Sequence, residues 1–329
     1  MVMSQVLYAY LQQSRPGVTI DVLAPAWSQP LLQRMPEVRS AIPMPVGHGE
    51  LGLGQRWRLG RELRSRHYDQ ALLLPNSLKS ALVPLIAGVP RRTGWRGELR
   101  YGLVNDLRLL DEQALPLMVQ RFVALALDAG EALPQSSPAP RLAVDADQAR
   151  RCREQLGLAP ARPLLALCPG AEFGGAKRWP AAYYGELARC YLAQGWQVAL
   201  FGSGNDRAVT AAVRQHTEGH DFCFDLAGRT RLAEAVDLLS LATAVVSNDS
   251  GLMHIAAALA RPLVVIYGAT SPGFTPPLNA NAAIVASDID CAPCFQRECP
   301  LGHHRCMRDI PMERVASALD ALLAVEESR

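Results

Sequence analysis

Apolar runs and amphipathic segments alternate along the whole chain. In the first half, "VTIDVLA" (18–24) and "DQALLLP" (69–75) have the character of buried strands, and helical patterns such as "GQRWRLGRELRSR" and "LMVQRFVALALDAG" accompany them. The second half contains further apolar runs, each ending in glycine, serine or asparagine: "PLLALCPG", "WQVALFGSG", "AVVSNDSG" and "PLVVIYGAT". Continuous apolar runs are typical of parallel strands covered by helices on both faces. The pattern therefore predicts an α/β protein with doubly wound sheets.

A polar, proline-bearing stretch interrupts this alternation near the middle of the chain. "LPQSSPAPRL" (133–142) has the composition of a linker, and a charged helical segment follows it. We expect one Rossmann-like domain over residues 1–142 and a second over residues 143–329. Ligands of such sheets bind at the carboxyl ends of the strands. Three polar turns of the second half lie at such ends and are expected to line one site: Pro169–Lys177, Gly202–Asp206 and Asn248–His254.

Composition excludes several classes of protein. The 33 basic and 31 acidic residues leave a net charge of +2, which is too small to favour nucleic acid as a partner. Hydrophobic residues make up 49%, which fits a globular protein and argues against disorder. No apolar stretch approaches the ~18 residues of a membrane span, and no secretory signal is visible. The eight cysteines are therefore expected to be reduced in the cytosol.

The turn "SNDSGLMH" (247–254) joins a strand to a helix of small residues. Helix N-termini present unpaired N–H groups and a partial positive charge, so they bind anions readily. Asp249 and Ser250 can cap this helix, and Gly251 allows a ligand to approach the backbone. His254 lies one turn further along. The alternative is that Asp249 only caps the helix and that His254 is a packed surface side chain.

Two other turns contain candidate polar groups. In "GAEFGGAKRWP" (170–180), flexible backbone followed by Lys177 suits a diphosphate, while Arg178 fits an ordinary surface charge better. "LFGSGNDRA" (200–208) is an incomplete dinucleotide fingerprint, which leaves Asp206 either to bind ribose hydroxyls or to cap the next helix. No Ser-His-Asp order or HExxH pattern is present, and His48 in "GHGE" has no neighbour to orient it.

The segment "CAPCFQRECPLGHHRCM" concentrates half of the cysteines. Its thiols could supply four zinc ligands, but their spacing is not that of two well-separated CxxC pairs. Reduced loop thiols are the default interpretation and structural zinc is the alternative, with the ligands Cys291, Cys294, Cys299 and Cys306.

Four motifs, in order, resemble the ADP-heptose:lipopolysaccharide heptosyltransferase II family, within glycosyltransferase family 9. The resemblance covers nearly the whole chain and implies a GT-B fold with the active site between two Rossmann-like domains. It implies inverting transfer of L-glycero-D-manno-heptose from ADP-heptose to the first heptose of the lipopolysaccharide inner core, without a cofactor or a metal. The acceptor, heptosyl-Kdo2-lipid A, implies a cytoplasmic enzyme in peripheral contact with the inner membrane. The motifs are "PNSLKSALVP", "RRTGWRGELRYGLVND", "CPGAEFGGAKRWP" and "NDSGLMHIAAAL".

The resemblance also implies roles for individual residues. Lys177 matches the lysine that stabilises the departing ADP, and Asp249 matches the acid that contacts the heptose hydroxyls. The other donor-binding matches are Asp206 on the ribose, Thr230 near the adenine, Ser250, Gly251 and Leu252 on the phosphates, and His254 beside them. On charge and domain alone, the candidates for acceptor phosphates and carboxylates are Lys79, Arg92, Arg96 and Arg100.

The chain departs from the family at its start. The family opens with a strand and a turn ending in Gly-Asp, before the helix matched here by "MVMSQVLYAYLQQ", and that aspartate is the expected general base. We expect both features to lie upstream of Met1. The rival functions are another heptosyltransferase of the family, a nucleotide-sugar epimerase of similar architecture, and a catalytically impaired nucleotide-binding chain. A nicotinamide-dependent oxidoreductase is disfavoured by the broken glycine fingerprint.

Overall fold

The computed structural model describes residues 1–47 and 49–327, so His48 lies outside the described residues. Contacts divide the chain into an N-terminal unit, Met3 to Pro138, and a C-terminal unit that starts at Ala139. This division falls inside the proline-bearing stretch, at 138/139 rather than at 142/143. Among the described helices, none has both the length and the apolar character that crossing a membrane requires.

The N-terminal unit alternates short strands and helices. Its strands are β1 (Ile20–Pro25), β2 (Val38–Met44), β3 (Gln70–Leu73), β4 (Arg91–Trp95) and β5 (Asp106–Arg108). Its helices are α1 (Gln5–Ser14), α2 (Gln29–Leu32), α3 (Leu53–Leu63), α4 (Leu82–Ile86) and α5 (Met118–Val123). Single 3-10 turns occur at Val2–Ser4, Ala26–Ser28, Arg64–Arg66 and Leu78–Ala81.

The strands of the N-terminal unit form two parallel sheets, β1-β2 and β3-β4-β5, where the sequence predicted one doubly wound sheet. The predicted helix over "LMVQRFVALALDAG" also ends earlier than expected, at Val123. Its chain tightens there, because the Leu125 and Ala126 amides bond to carbonyls only three residues back. The apolar residues beyond that point remain buried, so the hydrophobic pattern reports burial more faithfully than helix length.

Side chains connect the two sheets of this unit around one buried carboxylate. Tyr68 OH donates to Asp21 Oδ2 at 2.6 Å, and Arg66 Nη1 donates to the same atom at 3.0 Å. Arg39 adds a two-pronged contact at 2.9 and 2.8 Å. Burial alone would raise the pKa of Asp21, but the hydrogen bonds from Arg39, Tyr68 and Arg66 hold it at about 2. Asp21 therefore remains charged and joins β1 to the start of β3.

The C-terminal unit is built on one fully parallel sheet with the order β11-β10-β9-β6-β7-β8. Its strands are β6 (Leu164–Cys168), β7 (Gln197–Leu200), β8 (Cys223–Asp225), β9 (Ala244–Asn248), β10 (Leu263–Tyr267) and β11 (Ala282–Ala286). Its helices are α6 (Ala146–Gln155), α7 (Ala181–Ala193), α8 (Arg207–His216), α9 (Leu232–Leu239), α10 (Gly251–Ala258), α11 (Arg305–Arg308) and α12 (Met312–Glu327).

The central strands of this sheet are buried along their whole length. Every residue of β6, β7, β9 and β10 is buried, as the continuous apolar runs predict for a sheet covered on both faces. From β6 the chain first moves outward through β7 and β8, and then returns to the other side of β6 through β9, β10 and β11. The reversal creates a topological switch point between β6 and β9, where open α/β sheets bind ligands.

The buried Asp21 carboxylate should make the stability of the protein depend on pH in the acid range. The native pKa of about 2 lies below the ordinary value of 3.8. The ionised Asp21 side chain therefore contributes fully to stability above pH 3.8, and this contribution is lost as the pH falls towards 2. Since Arg39 and Arg66 are 55% and 39% exposed, solvent screening should limit this contribution to about 1–2 kcal/mol.

We therefore expect Asp21→Asn to lower the free energy of unfolding at neutral pH, measured by urea denaturation, and the deficit to shrink on acidification. Asp147→Asn is the matched control, because that carboxylate pairs with Arg150 on an exposed surface. An Asp21→Asn deficit of equal size at neutral and acid pH would contradict the assignment.

Candidate active site

The polar turns of the C-terminal unit follow the carboxyl ends of neighbouring parallel strands. The glycine-rich turn (169–178) follows β6, and the turn containing Asp249 follows β9. These two strands flank the switch point, so their turns meet there. Two residues that the sequence places 72 positions apart, Lys177 and Asp249, consequently come into contact.

Asn248, the last residue of β9, fixes the junction between the two turns. Its side chain is fully buried, and Nδ2 donates to Pro169 O at 2.8 Å. Oδ1 accepts from Trp179 N at 3.2 Å and from Tyr184 OH at 3.1 Å. One side-chain amide thus holds both ends of the glycine-rich turn against β9. Because an unpaired buried amide costs about 1–3 kcal/mol, this arrangement strongly favours a single position of the turn.

Asp249 forms the centre of the site. The residue is 5% exposed, and its Oδ2 lies 2.7 Å from Lys177 Nζ. Thr270, just beyond β10, donates its hydroxyl to the same oxygen at 2.7 Å. Lys177 Nζ also lies 3.4 Å from the Asp249 carbonyl oxygen. The lysine and the carboxylate therefore form a largely buried ion pair. One oxygen of the carboxylate accepts from both Lys177 and Thr270.

Ser250, and not Asp249, caps α10. Ser250 Oγ accepts from Met253 N at 3.4 Å and lies 3.2 Å from Ser247 Oγ. The interpretation of Asp249 as a simple N-cap is therefore wrong, because its carboxylate is directed to Lys177 and Thr270 instead. The amides of residues 250–252 belong to the first turn, where a helix supplies no carbonyl partner. An anion at this terminus would have both these amides and Lys177 nearby.

His254, one turn into α10, is a neutral group. Burial lowers the pKa of His254 to about 4, and the charge of Lys177 acts in the same direction against the opposing effect of Asp249. The imidazole is therefore uncharged at pH 7 and can take part in hydrogen bonds without adding positive charge. Lys177 supplies the cation of this part of the site.

Asp206 lies against the glycine-rich turn on the other side. Its Oδ2 accepts from the amide and the hydroxyl of Ser203 at 2.9 and 2.8 Å, within the turn before α8, and its side chain does not cap α8 itself. Its Oδ1 comes so close to Gly170 that a Cβ there would lie 2.4 Å away. Thr230 lies in the next turn, after β8, where Gly228 N donates to Gly202 O at 3.0 Å. The candidate donor-binding positions thus follow a single edge of the sheet.

Two of the four basic residues expected to bind the acceptor already donate hydrogen bonds to groups within the N-terminal unit. Arg100 is 1% exposed and donates to Pro75 O at 2.8 Å and to Asn76 Oδ1 at 3.2 Å. Arg92 donates to Leu103 O at 2.7 Å and to Val89 O. Both guanidinium groups hold loops together, because they donate hydrogen bonds to backbone carbonyls. For Arg100, whose side chain is buried, the assignment to acceptor binding is wrong. For Arg92, which is half-buried, it stays a prediction.

Lys79 and Arg96 remain accessible candidates. Arg96 is exposed, and Lys79 is half-buried with Nζ 3.2 Å from Glu50 O. Lys79 lies in the turn after β3, and Arg96 directly follows β4, the neighbouring strand. Both are therefore at the carboxyl edge of the β3-β4-β5 sheet.

The cysteine-rich loop follows β11 and contains free thiols. Cys291 Sγ lies 4.0 Å from His303 Nε2, and Cys299 Sγ accepts from His304 N at 3.5 Å. The His304 amide and its neighbours lower the pKa of Cys299. In the described ranges, no three His, Cys, Asp or Glu side chains gather closely enough to hold a metal ion. The zinc alternative, with Cys294 and Cys306 as further ligands, therefore lacks geometric support.

This loop instead supports the turn that carries Lys177. Ala176 N donates to Arg297 O at 3.0 Å, and Gly175 N donates to Glu298 Oε1 at 3.1 Å. Gly174 has a φ of 154°, and a Cβ at that position would lie 2.2 Å from Arg297 O. Sequence reasoning missed this support and Thr270, since both come from distant parts of the chain. The strand-end position of Thr270 in "YGATSP" is the signal that could have identified it.

A parallel sheet whose switch point holds a lysine–carboxylate pair beside a capped helix N-terminus is typical of α/β proteins that bind an anionic ligand at the sheet edge. A sequence model of glycosyltransferase family 9 (heptosyltransferase) matches residues 56–305. The chain belongs to this family.

Two relatives that match over nearly their whole length are heptosyltransferase 2 proteins. Lipopolysaccharide heptosyltransferase 2 of Escherichia coli (strain K12) is 50% identical, over 100% of this chain and 96% of the relative. Lipooligosaccharide heptosyltransferase 2 of Haemophilus influenzae is 47% identical, over 98% of this chain and 96% of the relative.

The solved structure of E. coli ADP-heptose lps heptosyltransferase II is similar with a TM-score of 0.90 and 48% identity, over 99% of this chain and 96% of that chain. An E. coli heptosyltransferase solved with ADP has a TM-score of 0.70 at 20% identity, over 98% and 96% of the two chains, and shows the fold alone. These similarities confirm the predicted family and the α/β GT-B class.

The Thr270 hydroxyl generates a prediction about catalysis. Thr270→Val keeps the shape of the side chain but removes one of the two donors to Asp249 Oδ2. Loss of one such bond to a charged group is expected to lower kcat for heptose transfer about 10-fold. Thr270→Ser is the matched control, because it retains the hydroxyl. Steady-state kinetics that show equal kcat values for the Val and Ser variants would contradict this role.

Proposed function

We propose that this chain is a lipopolysaccharide heptosyltransferase 2, which transfers L-glycero-D-manno-heptose from ADP-heptose to the first heptose of the inner core with inversion. Identity of 50% over the whole chain to the E. coli enzyme of that name supports the assignment. The observation that carries the proposal is the Lys177–Asp249 pair beside the N-terminus of α10. A diphosphate and a sugar need to be held together at one point, and this arrangement offers both a cation and a carboxylate there.

The donor's diphosphate is proposed to bind between Lys177 and the amides of Ser250, Gly251 and Leu252. Transfer breaks the bond between heptose C1 and the diphosphate oxygen, and ADP leaves with additional negative charge. A lysine and helix-terminal amides stabilise such charge where it develops, and removal of one such donor costs about 10²–10³ in kcat. The acceptor hydroxyl attacks C1 from the opposite face and loses its proton to a base, which gives inversion.

Asp249 is proposed to accept hydrogen bonds from the heptose hydroxyls. A carboxylate beside a diphosphate would repel it. The pairing of Asp249 with Lys177 at 2.7 Å offsets this repulsion. An ammonium group has three donors, and Lys177 can therefore contact Asp249 and a phosphate oxygen at the same time. The buried pair thus brings one positive charge to the diphosphate and one acceptor to the sugar. Asp206 and Thr230 are proposed to contact the ribose and the adenine.

The N-terminal unit is proposed to bind the acceptor, heptosyl-Kdo2-lipid A. Lys79 and Arg96 would contact its phosphates and carboxylates, in keeping with their position at a sheet edge. Because this acceptor is a lipid, the enzyme would act in the cytoplasm at the inner face of the inner membrane.

The direct test is transfer from ADP-heptose to purified heptosyl-Kdo2-lipid A, followed by mass spectrometry of the glycolipid. We expect one heptose to be added, and Lys177→Ala to reduce kcat by about 10²-fold or more because the leaving group loses its cation. Arg178→Ala is the matched control, since that neighbour is exposed and is expected to change kcat little.

An epimerised sugar nucleotide with an unchanged glycolipid would refute the proposed reaction. Near-normal kcat in Lys177→Ala would refute the role given to this lysine.

A further inference from the structure

Two segments of the N-terminal unit each expose more than one large apolar side chain. Leu51, Leu53 and Trp57, at the start of α3, are 50%, 59% and 56% exposed. Leu99 and Tyr101, beyond β4, are 78% and 64% exposed. Single exposed hydrophobic residues are ordinary on protein surfaces, whereas contiguous patches indicate an interaction site. Whether these five residues form one patch depends on what connects the two segments.

The first segment is bonded to the turn that carries Lys79. Arg56 is a buried residue of α3, and its Nε donates to Leu51 O at 2.6 Å while Nη1 donates to Lys79 O at 3.2 Å. Lys79 Nζ in turn lies 3.2 Å from Glu50 O. Leu51 and the first turn of α3 are therefore held beside Lys79 on one side.

The second segment is bonded to the same turn from the other side. Glu98 N donates to Asn76 O at 3.1 Å, and the Glu98 carboxylate accepts from Leu78 N at 2.7 Å. Gly97 packs so closely that a Cβ there would lie 2.4 Å from Asn76 O. Leu99 and Tyr101 follow directly. The five exposed apolar residues thus lie on two segments that are both bonded to the turn carrying Lys79.

The outer face of helix α3 combines apolar and basic side chains. Its inner face buries Leu59 and Leu63 in the core of the unit. Leu53 and Trp57, four residues apart, share the outer face. Arg66 already pairs with Asp21, so the remaining exposed charges between residues 57 and 65 are three arginines and one glutamate: Arg58, Arg61, Arg64 and Glu62. Outward tryptophan and leucine beside arginine are typical of interfacial helices on anionic lipid.

We propose that these two segments together form one surface, the docking face, and that it inserts into the headgroup region of an anionic lipid bilayer. It comprises Leu51, Leu53, Trp57, Leu99 and Tyr101, with Arg58 and Arg61 contacting the lipid phosphates. The proposal rests on the proposed function in one respect, which is that the acceptor is a lipid. Docking would place the Lys79 turn at the plane from which acceptor headgroups project, and it would confine the search for acceptor to the surface.

The test is flotation of the full-length protein with vesicles of phosphatidylcholine alone or mixed with phosphatidylglycerol, both without acceptor. We expect binding to the mixed vesicles that weakens with salt. The double variant Leu53→Gln, Trp57→Gln should bind at least ~10-fold more weakly, because two apolar anchors are lost. Leu301→Gln is the matched control, an exposed leucine of the C-terminal unit. Thermal unfolding checks that the variants remain folded.

Tryptophan fluorescence tests directly whether Trp57 enters the bilayer. We expect a blue shift of tryptophan fluorescence on mixed vesicles, and Trp57→Phe should abolish the shift while it retains most of the flotation. Failure to bind without acceptor, or equal binding by the double variant, would overturn the docking face. Concentration-dependent dimerisation that the double variant abolishes would also overturn it in favour of a second copy. Vesicle binding by a chain that transfers no heptose would refute the proposed function alone.

Discussion

The site depends on one constraint, which is that the Asp249 carboxylate is almost completely buried and must be neutralised in place. An isolated buried charge is prohibitively unfavourable, and a paired one is tolerated only when its partners are well positioned. Lys177 and Thr270 meet this requirement at 2.7 Å each, from the turns after β6 and β10. Removing either partner leaves the carboxylate poorly compensated. The same contact that makes burial tolerable therefore defines the position of the lysine.

The remaining architecture holds these partners in register. The parallel sheet brings its carboxyl ends to one edge, and the switch point between β6 and β9 opens a space there. Asn248 ties the glycine-rich turn to β9, while Arg297 and Glu298 support the same turn from the cysteine-rich loop. A flexible glycine-rich segment thus acquires a fixed position through contacts from two distant parts of the chain. Preorganisation of this kind is what electrostatic stabilisation of a leaving group requires.

The sequence predicted the C-terminal sheet well, because strands buried on both faces leave uninterrupted apolar runs. It also identified the turns of the site, since polar residues after such runs have to lie at the sheet edge. It could not identify Thr270 or choose Ser250 over Asp249 as the cap, because both depend on contacts between turns. Arg100 was misassigned for a similar reason: positive charge in a sequence does not distinguish a ligand contact from a buried contact to carbonyls. The split of the N-terminal strands into two sheets likewise has no local signal.

The most direct measurement of the central claim is a crystal structure of this protein with ADP-2-deoxy-2-fluoro-heptose. The account predicts the diphosphate at the N-terminus of α10, with Lys177 Nζ within hydrogen-bond distance of a phosphate oxygen and Asp249 on the sugar hydroxyls. A diphosphate bound away from both Lys177 and the 250–252 amides would contradict it.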